Sequence, residues 1–221
     1  MMTGLLIAWL AGASANAAEN GQHEVSIEMG SIGAYDTRWD AFSSREQMNT
    51  LGARGGLALT PRWSMLLDAQ LGLNGSNVDI DAEDEGTGEF VYQADAFSLD
   101  LGTLQVGLGP KFTVPLKPWL RTYGTVQAMG MLGRMRMDDD PDEDGRRRYW
   151  SATPGGAAAV GGELVVGDAS QGIVPAMHLE LGYAYMASMQ FSDRSIDGEP
   201  APIGALDFRG FYLRWGLGVR F

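Results

Sequence analysis

The sequence contains no cysteine and only two histidines, His23 and His178, and acidic residues outnumber basic ones by 28 to 16. The missing cysteines exclude a disulfide scaffold, a thiolate metal site and a thiol nucleophile. A net charge of −12 repels phosphate groups, so nucleic acid is excluded as a partner. No apolar run reaches the roughly 18 residues that a membrane-spanning helix requires.

The N-terminal segment has the pattern of a secretory signal peptide. A short apolar run, Leu5–Ala13, precedes Ala15-Asn16-Ala17, which matches the small-residue pattern of a cleavage site. No Lys or Arg precedes the run, so a short buried helix is the alternative interpretation. We expect residues 1–17 to be removed and residues 18–221 to form one exported domain.

Apolar and polar residues alternate along most of the remaining chain, which is typical of β-strands and not of helices. In the C-terminal segment, Phe211, Leu213 and Trp215 share one face, while Tyr212 and Arg214 share the other. The alternation predicts eight strands: Val25–Tyr35, Asn49–Thr60, Arg62–Asn74, Phe97–Val114, Trp119–Met137, Gly155–Val166, Val174–Phe191 and Phe208–Phe221. Gly and Ala are frequent in the sixth strand, where we expect small residues to make room for bulky neighbours.

The connections between these strands are alternately short and long. Short turns fall at Thr60-Pro61, Pro115–Pro118 and Gly167–Gly172, and long loops are predicted at Asp36–Met48, Gly75–Ala96, Asp138–Pro154 and Ser192–Asp207. With an even number of strands, all short turns lie at one end, as in bacterial outer-membrane barrels. An open sheet edge in lipid would leave N–H groups unpaired. We therefore predict a closed, eight-stranded, antiparallel, up-and-down transmembrane β-barrel.

One strand departs from the simple pattern. In the fourth, the apolar face switches near Gly102-Thr103, from Leu99 and Leu101 to Leu104 and Val106. Either a β-bulge at that point or an extension of the strand beyond the membrane accounts for the switch.

The final segment, Gly210–Phe221, is an amphipathic strand that ends in phenylalanine. It resembles the C-terminal signal of outer-membrane barrels, which their assembly machinery recognises, and the resemblance implies that role for Phe221. The whole mature chain is similar to the small eight-stranded class that includes the OmpA, OmpX and OmpW transmembrane domains. The resemblance implies a monomer in the outer membrane of a Gram-negative-type bacterium, in contact with lipid and lipopolysaccharide.

The polar faces of the strands carry charges of both signs toward the barrel interior. We expect inward acids and bases in equal number: Glu28, Asp68, Asp100, Glu163 and Glu180 against Arg54, Lys111, Arg121, Arg214 and Arg220. An eight-stranded barrel is just wide enough for side chains to fill it, and buried charges must be paired. We predict that Arg54 lies between Glu28 and Asp68. Arg214 is predicted to pair with Glu180 first and Glu28 second.

This lumen favours a plugged, non-enzymatic barrel with a structural or surface-interaction role, because a conducting pore would carry an excess of one sign. The runner-up is a narrow, OmpW-like passage for small or apolar solutes. A lipid A-modifying enzyme ranks third. The deacylase type needs a serine near its histidine, which the segment after His178 lacks, and the palmitoyltransferase type needs an apolar lumen.

The third long loop contains a partial calcium-binding pattern. Asp140, Asp142 and Asp144 alternate before Gly145, as in the first half of an EF-hand loop. The twelfth position is Ser151, so the bidentate glutamate is missing. A weak Ca²⁺ site and a solvated acidic loop are the two interpretations, and no other cofactor is expected.

Overall fold

A computed structural model describes residues 22–33, 47–83, 90–138, 146–167, 172–194 and 200–221. Within these ranges the chain forms ten strands: β1 Glu24–Gly33, β2 Gln47–Ala58, β3 Trp63–Glu83, β4 Phe90–Lys117, β5 Leu120–Asp138, β6 Arg146–Val165, β7 Val174–Met186, β8 Met189–Arg194, β9 Pro200–Leu206 and β10 Arg209–Arg220. None of the described residues belongs to a helix long and apolar enough to cross a membrane.

Eight of the strands close into one antiparallel barrel in the order β1-β10-β7-β6-β5-β4-β3-β2. The last strand closes the sheet against the first, with Glu24 opposite Arg220 and Ile32 opposite Tyr212. The other two strands, β8 and β9, form a separate hairpin between β7 and β10. The prediction of a closed eight-stranded antiparallel barrel is confirmed.

Two of the predicted long loops, 75–96 and 138–154, are shorter than expected, because the strands continue past the alternating segments. β3 and β4 pair along a ladder that starts with Trp63 opposite Phe112 and ends with Glu83 opposite Phe90. Most of the predicted loop 75–96 therefore belongs to this ladder. β6 begins at Arg146 and not at Gly155, and it pairs with β5 along its length. Beyond the bilayer no lipid demands an apolar outer face, so hydrogen-bonded strands continue there without the alternation that marks them in sequence.

The fourth predicted loop is also corrected. β7 ends at Met186, the wall is interrupted at Ala187 and Ser188, and the chain continues as the β8–β9 hairpin. In an uninterrupted strand Val174–Phe191, the alternation would point Met189 outward, because Met186 points inward; in the structure both side chains are buried. A two-residue break shifts which side chains point inward.

The face switch in the fourth predicted strand has a simple cause. β4 pairs with β5 without interruption from Ser98 to Leu108, so there is no bulge at Gly102. Leu101 faces the interior and is 1% exposed, whereas Asp100 is exposed. The extension beyond the membrane is therefore the correct alternative, and the prediction that Asp100 points inward is wrong.

The outer surface of the barrel is an apolar belt. On β3, for example, Trp63, Leu67, Leu71 and Leu73 are 47–77% exposed, and on β10 Phe211 and Leu217 are 65% and 55% exposed. A soluble protein rarely shows a continuous apolar surface of this extent. The belt fits the hydrocarbon layer of a bilayer, with one strand residue in two facing lipid.

The interior has two parts, and the sequence predicted only one of them. The half near the short turns holds the charged side chains. The half near the long connections is apolar, and its buried cluster is rich in methionine: Ile32, Met48, Leu101, Met129, Met131, Met135, Tyr149, Met186, Met189, Phe191, Leu206, Phe208 and Tyr212. The small residues predicted in β6 make room for bulky lumen side chains of the charged half too: a Cβ on Gly161 would lie 2.5 Å from the hydroxyl of Tyr123, whose ring lies beside Lys111.

Candidate functional site

Arg54 on β2 is the centre of the charged half of the lumen and is 2% exposed. Its Nε donates to Asp68 Oδ1 at 2.7 Å and lies 2.9 Å from Glu28 Oε1. Its Nη1 and Nη2 donate to the two oxygens of Glu180 at 3.0 and 3.1 Å. Asp68 and Glu28 lie on strands next to β2, but Glu180 lies on β7, which is not its neighbour. One guanidinium therefore links three carboxylates and bridges the bore.

Glu28 is held by two further groups. His178 Nε2 lies 2.8 Å from Glu28 Oε1, and Gln70 Nε2 donates to Glu28 Oε2 at 2.7 Å. The imidazole fits because the opposite residue on β10 is Gly216, whose Cβ would lie 2.7 Å from His178 Nε2. The imidazole of His178 is therefore paired with Glu28, and the carboxylate of Glu180, two residues further along β7, is bound by Arg54.

Arg214 lies directly opposite Glu180 in the β10–β7 register. Its Nη1 is 3.6 Å from Asp68 Oδ2 and 3.9 Å from Glu180 Oε1, and its guanidinium stacks 4.4 Å from the Tyr212 ring. Glu180 is thus a partner of Arg214, but the other and nearer partner in the described contacts is Asp68 and not the expected Glu28. Arg54 and the Tyr212 hydroxyl both donate hydrogen bonds to the Glu180 carboxylate. The distances from Arg214 to its carboxylates are therefore longer than those from Arg54.

A second charged cluster fills the lumen next to the short turns. Lys111 Nζ contacts Glu24 Oε2 at 2.7 Å and Glu163 Oε2 at 3.5 Å. Arg220 Nη2 contacts the same two carboxylates at 2.8 and 2.9 Å. Glu24 was missed because the predicted first strand began one residue later, although its parity matches that of the inward Glu28.

The two clusters nearly cancel in charge. The buried set contains five carboxylates, which are Glu24, Glu28, Asp68, Glu163 and Glu180. It also contains His178 and four Lys and Arg cations, which are Arg54, Lys111, Arg214 and Arg220. Arg121, the fifth predicted base, is only half-buried and hydrogen-bonds Gln22 Oε1 at 3.4 Å. Each of these carboxylates and each of the four Lys and Arg cations lies within 4.0 Å of a group of opposite charge, as burial away from water requires.

The base of the β8–β9 hairpin is hydrogen-bonded to β6. Ala187 N donates to Pro154 O at 2.9 Å, and Thr153 Oγ1 donates to Ala187 O at 2.6 Å. Met189 and Phe191 then point into the lumen, where a Cβ on Gly133 would lie 3.1 Å from Met189 Cε. The hairpin thus contributes apolar side chains to the upper lumen.

Comparison with known proteins gives structural likeness only. No family profile matches the sequence, and no curated protein matches it. OprG, an outer membrane protein from Pseudomonas aeruginosa, has a TM-score of 0.51 at 13% identity, with 92% of this chain and 97% of that chain covered. The closed barrel, its apolar belt and this likeness agree. The chain has the fold of the small eight-stranded outer-membrane β-barrels.

Two further structures resemble the barrel less closely. Ail of Yersinia pestis, solved in complex with the heparin analogue sucrose octasulfate, has a TM-score of 0.48 at 12% identity, covering 90% of this chain and 97% of that one. The outer membrane protease OmpT from Escherichia coli has a TM-score of 0.46 at 9% identity, covering 90% and 96%.

The C-terminal residue closes the barrel against the first strand. Phe221 N donates to His23 O at 3.1 Å, His23 N donates to Phe221 O at 2.9 Å, and the two rings are 5.8 Å apart. Deleting Phe221 removes these contacts together with the residue that resembles the assembly signal. We expect a lower folded, heat-modifiable fraction in the outer membrane and unchanged export, measured on gels.

The matched control is Phe211→Ala, which removes a lipid-facing aromatic ring from the same strand. Its folded fraction should stay close to that of the parent barrel. Undiminished outer-membrane levels after deletion of Phe221 would contradict the role assigned to the C-terminus.

The calcium prediction falls on Asp140, Asp142 and Asp144, which lie outside the described residues and therefore stay untested. Among the residues that are described, no three His, Asp or Glu side chains are grouped as a metal site.

Proposed function

We propose that the barrel is a non-conducting, non-enzymatic protein of the outer membrane of a Gram-negative-type bacterium, with a plugged lumen and a structural or surface-interaction role. We further propose that it is a monomer, that the barrel-assembly machinery inserts it, and that its outer connections contact lipopolysaccharide. The observation that carries the plug is the bridge from Arg54 on β2 to Glu180 on β7.

The bridge supports a plug because an ion that passes along the lumen must separate the Arg54 guanidinium from the Glu180 carboxylate. Breaking a buried pair so that one charge is left unpaired typically costs about 3–5 kcal/mol. The cluster around Lys111 and Arg220 forms a second layer of paired charges below the first. A selective pore instead lines its path with one sign of charge.

The use of the imidazole supports a non-enzymatic role. A catalytic histidine needs a nucleophile or substrate within hydrogen-bond reach. His178 Nε2 is committed to Glu28, inside a network that fills the bore. The palmitoyltransferase type of lipid A-modifying enzyme needs an apolar lumen, and the upper half of this lumen is apolar. The polarity of the lumen is therefore no argument against an enzyme, and the contacts of His178 carry the support for a non-enzymatic role.

One observation favours the runner-up function, a narrow passage for apolar solutes. In the described ladders, β6 pairs with β7 only from Gly155 to Val165, and Pro154, directly above, has no N–H to donate. A gap in the wall at this height would join the methionine-rich upper lumen to the lipid. The β8–β9 hairpin, fastened to Pro154 O through Ala187 N, lies at this seam.

Two transport assays distinguish the functions. In liposome swelling, we expect the refolded barrel to admit no arabinose-sized solute, and swelling at the rate of an open porin would contradict the plug. In cells, uptake of an apolar fluorescent probe tests the seam. Equal uptake with the parent barrel and with Pro154→Val supports the plugged role, whereas faster uptake with the parent supports the passage.

A further inference from the structure

A cleft of about 460 Å³ opens at the end of the barrel that carries the short turns. The turn after β2 and the turn after β4 form its walls, and the ends of the lumen strands form its floor. Four cationic side chains line it: Arg62, Lys117, Arg121 and Arg220. They are a quarter of the 16 basic residues of the chain, and no acidic residue lines the cleft.

Three of these cations form no close ion pair with a described carboxylate. Arg220 is neutralised by Glu24 and Glu163. In the part of the chain that the structure describes, Arg62, Lys117 and Arg121 have no carboxylate within 4.0 Å. Lys117 lies 5.3 Å from the Trp119 ring. Arg121 hydrogen-bonds the neutral amide of Gln22, and the carboxylates of Glu163 and Glu24 attract it from a greater distance. In a chain of net charge −12, unpaired cations collected at one place indicate an anion site.

Prolines and side-chain hydrogen bonds restrain the two turns that form the cleft. Pro61, Pro115 and Pro118 lie in its lining and restrict the backbone of both turns. Thr60 Oγ1 accepts the backbone N–H groups of Arg62 and Trp63 at 3.3 and 3.0 Å, which fixes the first turn. A site built from restrained turns loses little conformational freedom when a ligand binds.

The position of the cleft relative to the bilayer identifies the anion. Trp63 and Trp119, 47% and 50% exposed, flank the cleft, and exposed Trp side chains concentrate at the membrane–water interface. Leu116, in its lining, is 59% exposed and can contact an acyl chain. The short turns of outer-membrane barrels face the periplasm, so in the outer-membrane location proposed above the cleft lies at the level of the phosphates of the inner leaflet.

We propose that this cleft binds the phosphate of an anionic glycerophospholipid of the inner leaflet, through Arg62, Lys117 and Arg121. Arginine guanidinium groups bind phosphate oxygens in bidentate fashion, and lysine adds a point charge. The site would fasten the periplasmic end of the barrel to one leaflet. It does not depend on whether the lumen above it is plugged.

The test measures how much phosphatidylglycerol the refolded full chain retains in native mass spectrometry from detergent micelles. The test variant carries Arg62→Gln, Lys117→Gln and Arg121→Gln. At about 1 kcal/mol per basic residue near anionic lipid, we expect its affinity to fall roughly 100-fold. The matched control carries Arg134→Gln, Arg148→Gln and Arg209→Gln, the same charge change in the opposite half, and should bind like the parent. Heat-modifiability on gels confirms that both variants fold.

Three outcomes would overturn the proposal. Equal retention by the parent and the cleft variant would show that the cations do not bind lipid. Equal loss in the cleft variant and the control would show a general effect of charge. Binding of free glycerol phosphate or inorganic phosphate as tightly as the lipid would make the source a soluble anion, or a periplasmic partner that carries one, and not the leaflet.

Discussion

Replacing Arg54 with alanine is expected to destabilise the barrel by about 3–5 kcal/mol. The guanidinium is 2% exposed and contacts Glu28, Asp68 and Glu180, so its loss leaves three carboxylates in a lumen with fewer cations. Urea unfolding in lipid vesicles measures the free energy. Arg209→Ala is the matched control, because Arg209 is half-exposed and lies 3.9 Å from Asp207. Exposed pairs of this kind contribute about 0–1 kcal/mol.

A double-mutant cycle then tests whether the bridge across the bore exists. Glu180→Ala alone should also destabilise the barrel, and Arg54→Ala combined with Glu180→Ala should cost about 1–3 kcal/mol less than the sum of the single changes. Arg214→Ala should cost less than Arg54→Ala, because its contacts are longer, at 3.6 and 3.9 Å. Strict additivity for Arg54 and Glu180 would show that the two side chains do not interact.

The second large effect is expected at Gly52, whose replacement with alanine should destabilise the barrel by about 1–3 kcal/mol or prevent refolding. A Cβ at this inward position would meet Ala69 O and would lie 2.9 Å from Gln70 Cα and 2.7 Å from Gln70 Cδ. Two of these atoms belong to the backbone of β3 and cannot move without disturbing the β2–β3 ladder.

Gly55, on the same strand, provides the control. A Cβ there would meet nothing within 4 Å, so Gly55→Ala should leave the urea midpoint almost unchanged. If the two variants unfold at the same urea concentration, the close approach of β2 and β3 at Gly52 is not present in the folded barrel.

The barrel could be predicted from sequence because lipid imposes a two-residue period on every strand that crosses it. The same reason explains where the prediction failed. Outside the bilayer the period loses its cause, so the sequence predicts a loop where the structure has a ladder from Gly75 to Glu83. Asp100 was placed inward because the sequence does not show where the strand leaves the membrane.

The charged lumen was predictable only between neighbouring strands. The approach of Arg54 to Glu28 and Asp68 follows from parity and strand order. The bridge from Arg54 to Glu180 joins strands that are not adjacent, and no local pattern encodes which side chains meet across a bore. Side-chain length and the room left by glycines such as Gly216 determine those contacts. The sequence does not reveal the apolar upper lumen, because its methionines are spread over several strands and each strand carries only a few of them among the residues of its inward face.

Ion conductance of the refolded barrel in a planar lipid bilayer tests the plug most directly. The paired charges around Arg54 and Lys111 predict no discrete conductance steps from the parent protein in 1 M salt. They also predict steps after Arg54→Ala is combined with Lys111→Ala, in the fraction that remains folded. Regular, uniform steps from the parent barrel, at the size of a water-filled pore, would contradict the account.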